Sequence, residues 1–162
     1  MSSIREQILV LVKAKLETIT TGNGYNNTIS TVERTRTTPI NKSEMPCIFI
    51  YEESEAVAAS GGLVNLGLYD NNLNITLECW IKDDSTEKGT QLNSLLEDVV
   101  KAMQSNYNWT NGSGTSLAVD TQYEGNQTLL EFASAKGQGF LALLVNFNIN
   151  YRTKFGDLTS LA

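Results

Sequence analysis

Histidine is absent from the chain, and with it the Ser-His-Asp and Cys-His couples, the H-E-x-x-H zinc helix and the most frequent general base. Lysine, tyrosine and paired carboxylates remain for acid–base or covalent work. Acidic residues concentrate at Glu52-Glu53-Ser54-Glu55 and at Asp83-Asp84. Adjacent carboxylates diverge on regular backbone, so Asp83-Asp84 reads as the polar lead-in to a helix and the glutamates as a solvated loop. Cys47 and Cys79 are the only thiols and lack C-x-x-C spacing, which leaves no zinc pattern. Each lies in a strand-like run where a free buried thiol is the ordinary outcome, with pairing open if the two strands are neighbours. Gly22-Asn23-Gly24, Asn111-Gly112-Ser113-Gly114 and Gly137-Gln138-Gly139 have neither the P-loop nor the G-x-G-x-x-G register and read as turns. The residues therefore predict no catalytic group, no metal site and no cofactor. Trp80 falls on the polar phase of its strand and reads equally as an interface anchor or as core, whereas Trp109 reads as core or a loop anchor.

The elements that must position these residues are legible from periodicity. Ser3-Ile4-Arg5-Glu6 has the form of a capping box and opens a helix over Ile4 to Ile19, with Ile4, Ile8, Leu11, Val12 and Ile19 on one face. It breaks into Thr20-Thr21-Gly22-Asn23-Gly24-Tyr25-Asn26-Asn27. Weak alternation follows from Thr28 to Arg36, then a polar stretch between Pro39 and Pro46. Cys47 to Tyr51 is continuously apolar and predicts a strand that is buried on both faces or central, and Glu52 to Gly62 reads as a loop. Leu63 to Tyr69 and Leu73 to Lys82 read as a hairpin turning at Asp70-Asn71-Asn72, the second arm presenting Asn74, Thr76, Glu78, Trp80 and Lys82 away from the core. A second helix from near Ser85 to about Asn106 carries a Leu92, Leu95, Leu96, Val99, Val100, Met103 stripe, with Glu97 and Asp98 on its wet side ahead of Lys101. After a turn cluster at Asn108 to Thr115, short strands are expected at Ser116 to Tyr123 and Thr128 to Phe132. The last strand alternates from Leu141 to Arg152, its outer face becoming amide from Asn146 onward. The expected fold is a single α+β domain over residues 1–162, with a mixed, mostly antiparallel β-sheet and two helices packed on one face.

Composition bounds the partners. The chain of 162 residues is long enough for one core without staples, and its low charged fraction of 19% leaves a surface of amides and hydroxyls. A net charge of −6 argues against gripping a phosphate backbone, although DNA could pass nearby. No apolar run approaches a membrane span, and no basic region leads into a cleavable apolar one. The matches to N-x-S/T at Asn26, Asn41, Asn74, Asn108, Asn111 and Asn126 then follow from Asn and Thr abundance.

Four features taken together carry a resemblance: the first helix running into Thr21-Gly22-Asn23-Gly24-Tyr25-Asn26, the Met45-Pro46-Cys47-Ile48-Phe49-Ile50 strand entry, the Leu73-to-Ile81 strand leading into the second helix, and the closing Asn148-Ile149-Asn150-Tyr151. The layout resembles the tail-terminator (tail-completion) proteins of long-tailed bacteriophages. The resemblance implies a non-enzymatic late virion protein that forms a ring, usually a hexamer, on the last tail-tube ring. Such a ring stops tube polymerisation, supports head–tail joining by docking head-completion or connector proteins, and lets DNA pass its lumen without specific binding. Assembly in the host cytoplasm and a place at the head-proximal end of the tail come with it. Candidate contact residues are Glu52, Glu53 and Glu55, Trp80, and Lys136 and Gln138 in the Phe132-to-Gly139 loop. A neck, connector or tube subunit is the neighbouring alternative; a small carboxylate- or lysine-using enzyme and a monomeric ligand-binding module are the distant ones.

Overall fold

The computed structural model describes residues 2–58, 67–83, 87–129 and 139–161. Among the described residues, two α-helices, α1 (Ile4–Leu16) and α2 (Lys88–Gln104), pack on one face of a six-stranded sheet. The strands are β1 (Thr31–Arg34), β2 (Cys47–Ala58), β3 (Leu68–Lys82), β4 (Asp120–Thr128), β5 (Phe140–Lys154) and β6 (Asp157–Leu161). Their order is β1-β2-β3-β5-β4, with β6 pairing the far end of β5. Among the described residues only β1–β2 is parallel, and the other pairs are antiparallel. The fold is thus α+β with a mostly antiparallel mixed sheet, as the periodicity predicts.

The core lies between helices and sheet. Ile4, Ile8, Leu9, Val12 and Leu16 of α1 and Leu92, Leu95, Val99 and Met103 of α2 meet Ile48, Ile50, Leu73, Leu77, Val145 and Phe147, all buried. The central strands β3 and β5 run antiparallel along their whole length, from Leu68 opposite Lys154 to Lys82 opposite Phe140. Trp109 closes one end of the core fully buried, its indole N–H donating to Thr121 Oγ1 at 2.8 Å. This satisfies the one polar atom that would otherwise make burial of a tryptophan costly.

Several expectations are corrected. Helix α1 stops at Leu16 rather than Ile19, because the Thr18 hydroxyl bonds back to the Lys15 carbonyl at 2.7 Å and Thr20 is already extended; Ile19 stays fully buried beyond the helix. The Ser3 hydroxyl accepts the Glu6 amide at 3.2 Å, but the reciprocal half of the capping box is replaced, since both Glu6 oxygens take the Arg34 guanidinium at 2.7 and 3.0 Å. The hairpin turn expected at Asp70-Asn71-Asn72 is uninterrupted strand. Those residues are laddered on both sides, to Ala58, Val57 and Ala56 and to Arg152, Tyr151 and Asn150, and two-sided pairing overrides their turn preference. The segment 63–66 of the expected first arm lies outside the described residues. The loop expected from Glu52 is strand through Ala58. Helix α2 begins at Lys88 and ends at Gln104, with 84–86 outside the described residues. In place of the first short strand, β4 begins at Asp120 and runs on to Thr128, Ser116 makes only an isolated bridge to Thr110, and the 130–132 part of the second expected strand lies outside the described residues. A bulge between Tyr123 and Gly125 allows that continuity, with Gly125 at φ +122°, a conformation only glycine takes readily.

Cys47 and Cys79 sit on neighbouring strands but cannot pair, because Cys79 lies opposite Ile48 and one step of register sends the two side chains to opposite faces. Burial pushes the Cys47 thiol up to about 12 and raises Cys79 as well. A buried thiol that stays protonated while its unfolded counterpart ionises removes stability as pH rises through the window between the two values. From about pH 9 upward the folding free energy should fall by about 1.4 kcal/mol per pH unit for each thiol ionised only in the unfolded chain. Urea denaturation from pH 8 to 11 should show that slope, and the Cys47→Ala, Cys79→Ala double variant should be flatter. Equal slopes would contradict thiol burial as the cause.

Candidate functional site

The two α-helices cover one face of the sheet; on the other, among the described residues, the short 3-10 turn Lys42–Glu44 and its flanks pack at one end and no α-helix contributes. Period-two alternation brings β3 and β5 residues together there rung by rung: Asp70 with Arg152, Asn72 with Asn150, Asn74 with Asn148, Thr76 with Asn146, Glu78 with Leu144 and Trp80 with Ala142. The face therefore grades along its length. At one end Arg152 Nε donates to Asp70 Oδ1 at 2.7 Å, beside a polar cleft of about 360 Å³ bordered by Asn72, Asp120, Gln122 and Asn150. In the middle, three consecutive rungs have no charge of their own. Asn148 donates to Asn74 Oδ1 at 2.6 Å, and Thr76 Oγ1 lies 2.9 Å from the Asn146 amide oxygen. At the other end is an aromatic groove.

That groove has a volume of about 490 Å³ and is walled by Phe49, Tyr51, Trp80 and Phe140, with Ile40 and Met45 at its side. Trp80 and Phe140 meet edge to face at a centroid distance of 5.0 Å. Trp80 is only 8% exposed although its strand phase is the outward one, because the second, smaller apolar cluster of Met45, Cys47, Phe49 and Ala142 packs around it. Its indole N–H donates to Glu78 Oε1 at 2.8 Å. The Tyr51 hydroxyl donates to the Arg36 carbonyl at 3.3 Å, and burial, reinforced by the Glu78 charge, raises its phenol. Arg36 lies 5.0 Å over the Phe49 ring, held by Glu44 at 2.9 Å, by Glu33 at 3.3 Å and by the carbonyls of Thr38 and Pro39.

The three glutamates singled out in the sequence separate. A bulge between Glu52 and Glu55 inserts one extra residue against Ile75 and Leu73, so both carboxylates turn to the helix side. There Arg5 reaches Glu52 at 2.9 Å and Glu55 at 3.3 Å, and Arg34 reaches Glu52 at 2.6 Å and Glu6 at 2.7 Å. Tyr151 donates its hydroxyl to Glu55, and burial together with that contact raises its phenol. The Arg34 hydrogen bonds lower the Glu6 carboxyl. Glu53 alone of the three lies on the open face, accepting from the Thr76 hydroxyl at 2.6 Å. Lys136 and Gln138, with the 130–138 part of the expected contact loop, lie outside the described residues.

Asp98 is the residue that sequence reasoning misplaced. Expected on the wet side of α2, it is 1% exposed and accepts four hydrogen bonds, from the backbone and side-chain amides of Asn26 and Asn27, at 2.7 to 3.1 Å. Lys101 turns to the same segment, its Nζ 2.7 Å from the Gly24 carbonyl and 4.8 Å from the Tyr25 ring centroid. The signal available was the run Gly24-Tyr25-Asn26-Asn27 itself, a polar turn in need of a partner for its amides.

Among the described residues, no three His, Cys, Asp or Glu side chains converge to hold a metal ion, and no helix is long and apolar enough to cross a membrane. No protein-family model matches the chain, and no curated protein matches it.

Proposed function

We propose that this chain is a structural virion subunit that caps the head-proximal end of a phage tail tube, arrests tube growth and presents a docking surface to head-completion proteins. The observation that carries the reading is the open sheet face, with its uncharged Asn72/Asn150, Asn74/Asn148 and Thr76/Asn146 rungs. Cores of protein–protein interfaces are depleted in charge and satisfied by hydrogen bonds, since a buried unpaired charge costs more than it returns. An amide plane flanked by a polar cleft and an aromatic groove fits that description. In a ring, such a face meets a different surface of the next copy, and repetition of one heterologous contact closes when the rotation divides a full turn. The sequence resemblance supplies the place in the virion. The net charge of −6 fits a lumen that lets DNA slide through rather than hold it.

The test is tube assembly in vitro. Tail-tube protein polymerised with this chain should give shorter tubes, each bearing an added ring at one end in negative-stain images. Unchanged tube length and bare ends at both termini would overturn the reading.

A further inference from the structure

The aromatic groove has a chemistry of its own, independent of any role at a tube end. Two charged side chains line it, Arg36 and Glu78. Arg36 is already neutralised by Glu44 and Glu33 and seated on Phe49. Glu78 is half-buried and accepts from the Trp80 indole, but among the described residues no Lys or Arg lies within ion-pairing distance of it. Lys82, the next cation on this face of β3, stands past Trp80. A partly desolvated carboxylate without a counter-charge, set among ring faces, is complementary to a cation with an aliphatic stem: the stem lies on the apolar wall, the charge meets the carboxylate, and the ring quadrupoles add to the attraction. The groove already shows this mode once, in Arg36 over Phe49.

We propose that the groove receives the side chain of a lysine or arginine presented by a partner protein, its charge pairing with Glu78 and its stem lying against Trp80, Tyr51 and Phe140. Acidic Glu78 selects against anionic partners and for a basic anchor.

The full-length chain, labelled with ¹⁵N, is titrated with a blocked Gly-Gly-Lys-Gly-Gly peptide and with its norleucine counterpart, following the two indole N–H signals. The lysine peptide should move the Trp80 signal saturably and leave that of Trp109, which is sealed in the main core, in place. The norleucine peptide should have little effect, and Glu78→Gln should weaken the lysine peptide about tenfold, the scale of losing one charge-assisted contact. Glu97→Gln, on the exposed side of α2, should bind as the parent does. An unmoved Trp109 signal in Glu78→Gln reports that the fold is intact. Equal response to both peptides would show an apolar groove only, and a response to a neutral disaccharide without one to the lysine peptide would show a sugar site. Either result, or silence toward the lysine peptide, overturns the proposal.

Discussion

Replacing Asp98 with alanine should destabilise the fold by about 3 to 5 kcal/mol, since it removes a buried carboxylate that accepts four part-buried hydrogen bonds, two of them from the Asn26 and Asn27 backbone amides, and each donor left unsatisfied costs about 1 to 3 kcal/mol. A chain of this size loses a few degrees per kcal/mol, so the thermal midpoint should drop by roughly 10 °C or more. The effect is large because Asp98 is the link between two elements, not an ornament of one. The turn after α1 has little apolar material of its own, and it is tied to α2 by this carboxylate, by Lys101 and by a longer hydrogen bond from Asn27 to Ser94 Oγ. Asp98→Asn should fall between parent and alanine variant, because one oxygen can still accept while the amide nitrogen faces donors. Urea denaturation of the three proteins decides it. A loss below about 1 kcal/mol for the alanine variant would mean that water replaces the carboxylate at little cost.

Asn148→Lys should leave the isolated chain folded and abolish its assembly. Asn148 is half-exposed at the middle of the open face, opposite Asn74 and next to Gln122 of β4, so a lysine there extends into solvent in a single subunit at a cost within about 1 kcal/mol. Buried against a neighbouring copy or a tube subunit, the same ammonium would be unpaired, and such burial costs about 3 to 5 kcal/mol per contact, or more than a hundredfold in affinity. Circular dichroism and thermal melting should match the parent, while caps on tail tubes disappear from electron micrographs. A variant that melts like the parent and still caps tubes would place the contact elsewhere on the subunit.

The parts of this structure legible in the sequence are those where local pattern and tertiary demand agree. The alternation of Leu73 to Lys82 and of Leu141 to Arg152 placed every side chain on its observed face, and the α2 stripe marked its buried side. Where the two disagree, sequence reading failed for identifiable reasons. Asp70-Asn71-Asn72 carries turn chemistry, yet Asn71 is buried and donates to Thr153 Oγ1 at 3.0 Å inside a ladder closed on both sides. Glu52 and Glu55 share a face only because of a bulge, a one-residue register change that no periodicity announces. Asp98 looked solvated because the helix pattern alone could not say that the Asn26-Asn27 turn folds down onto it. Trp80 held its expected phase and was buried all the same, by a second cluster whose members come from three strands and a loop. The amide character of the open face was visible from Asn146 onward, but its matching by Asn72 and Asn74 depends on the β3–β5 register, which is tertiary information.

As proposed above, the open face would make this chain a ring-forming cap. The most direct test of that proposal is the native mass of the purified protein by light scattering, measured alone and after incubation with tail tubes that are then imaged. A ring-forming cap gives either a closed ring of about six 17.8 kDa chains or single chains that collect as a cap at one tube end. Single chains that remain single and leave both tube ends bare would contradict it.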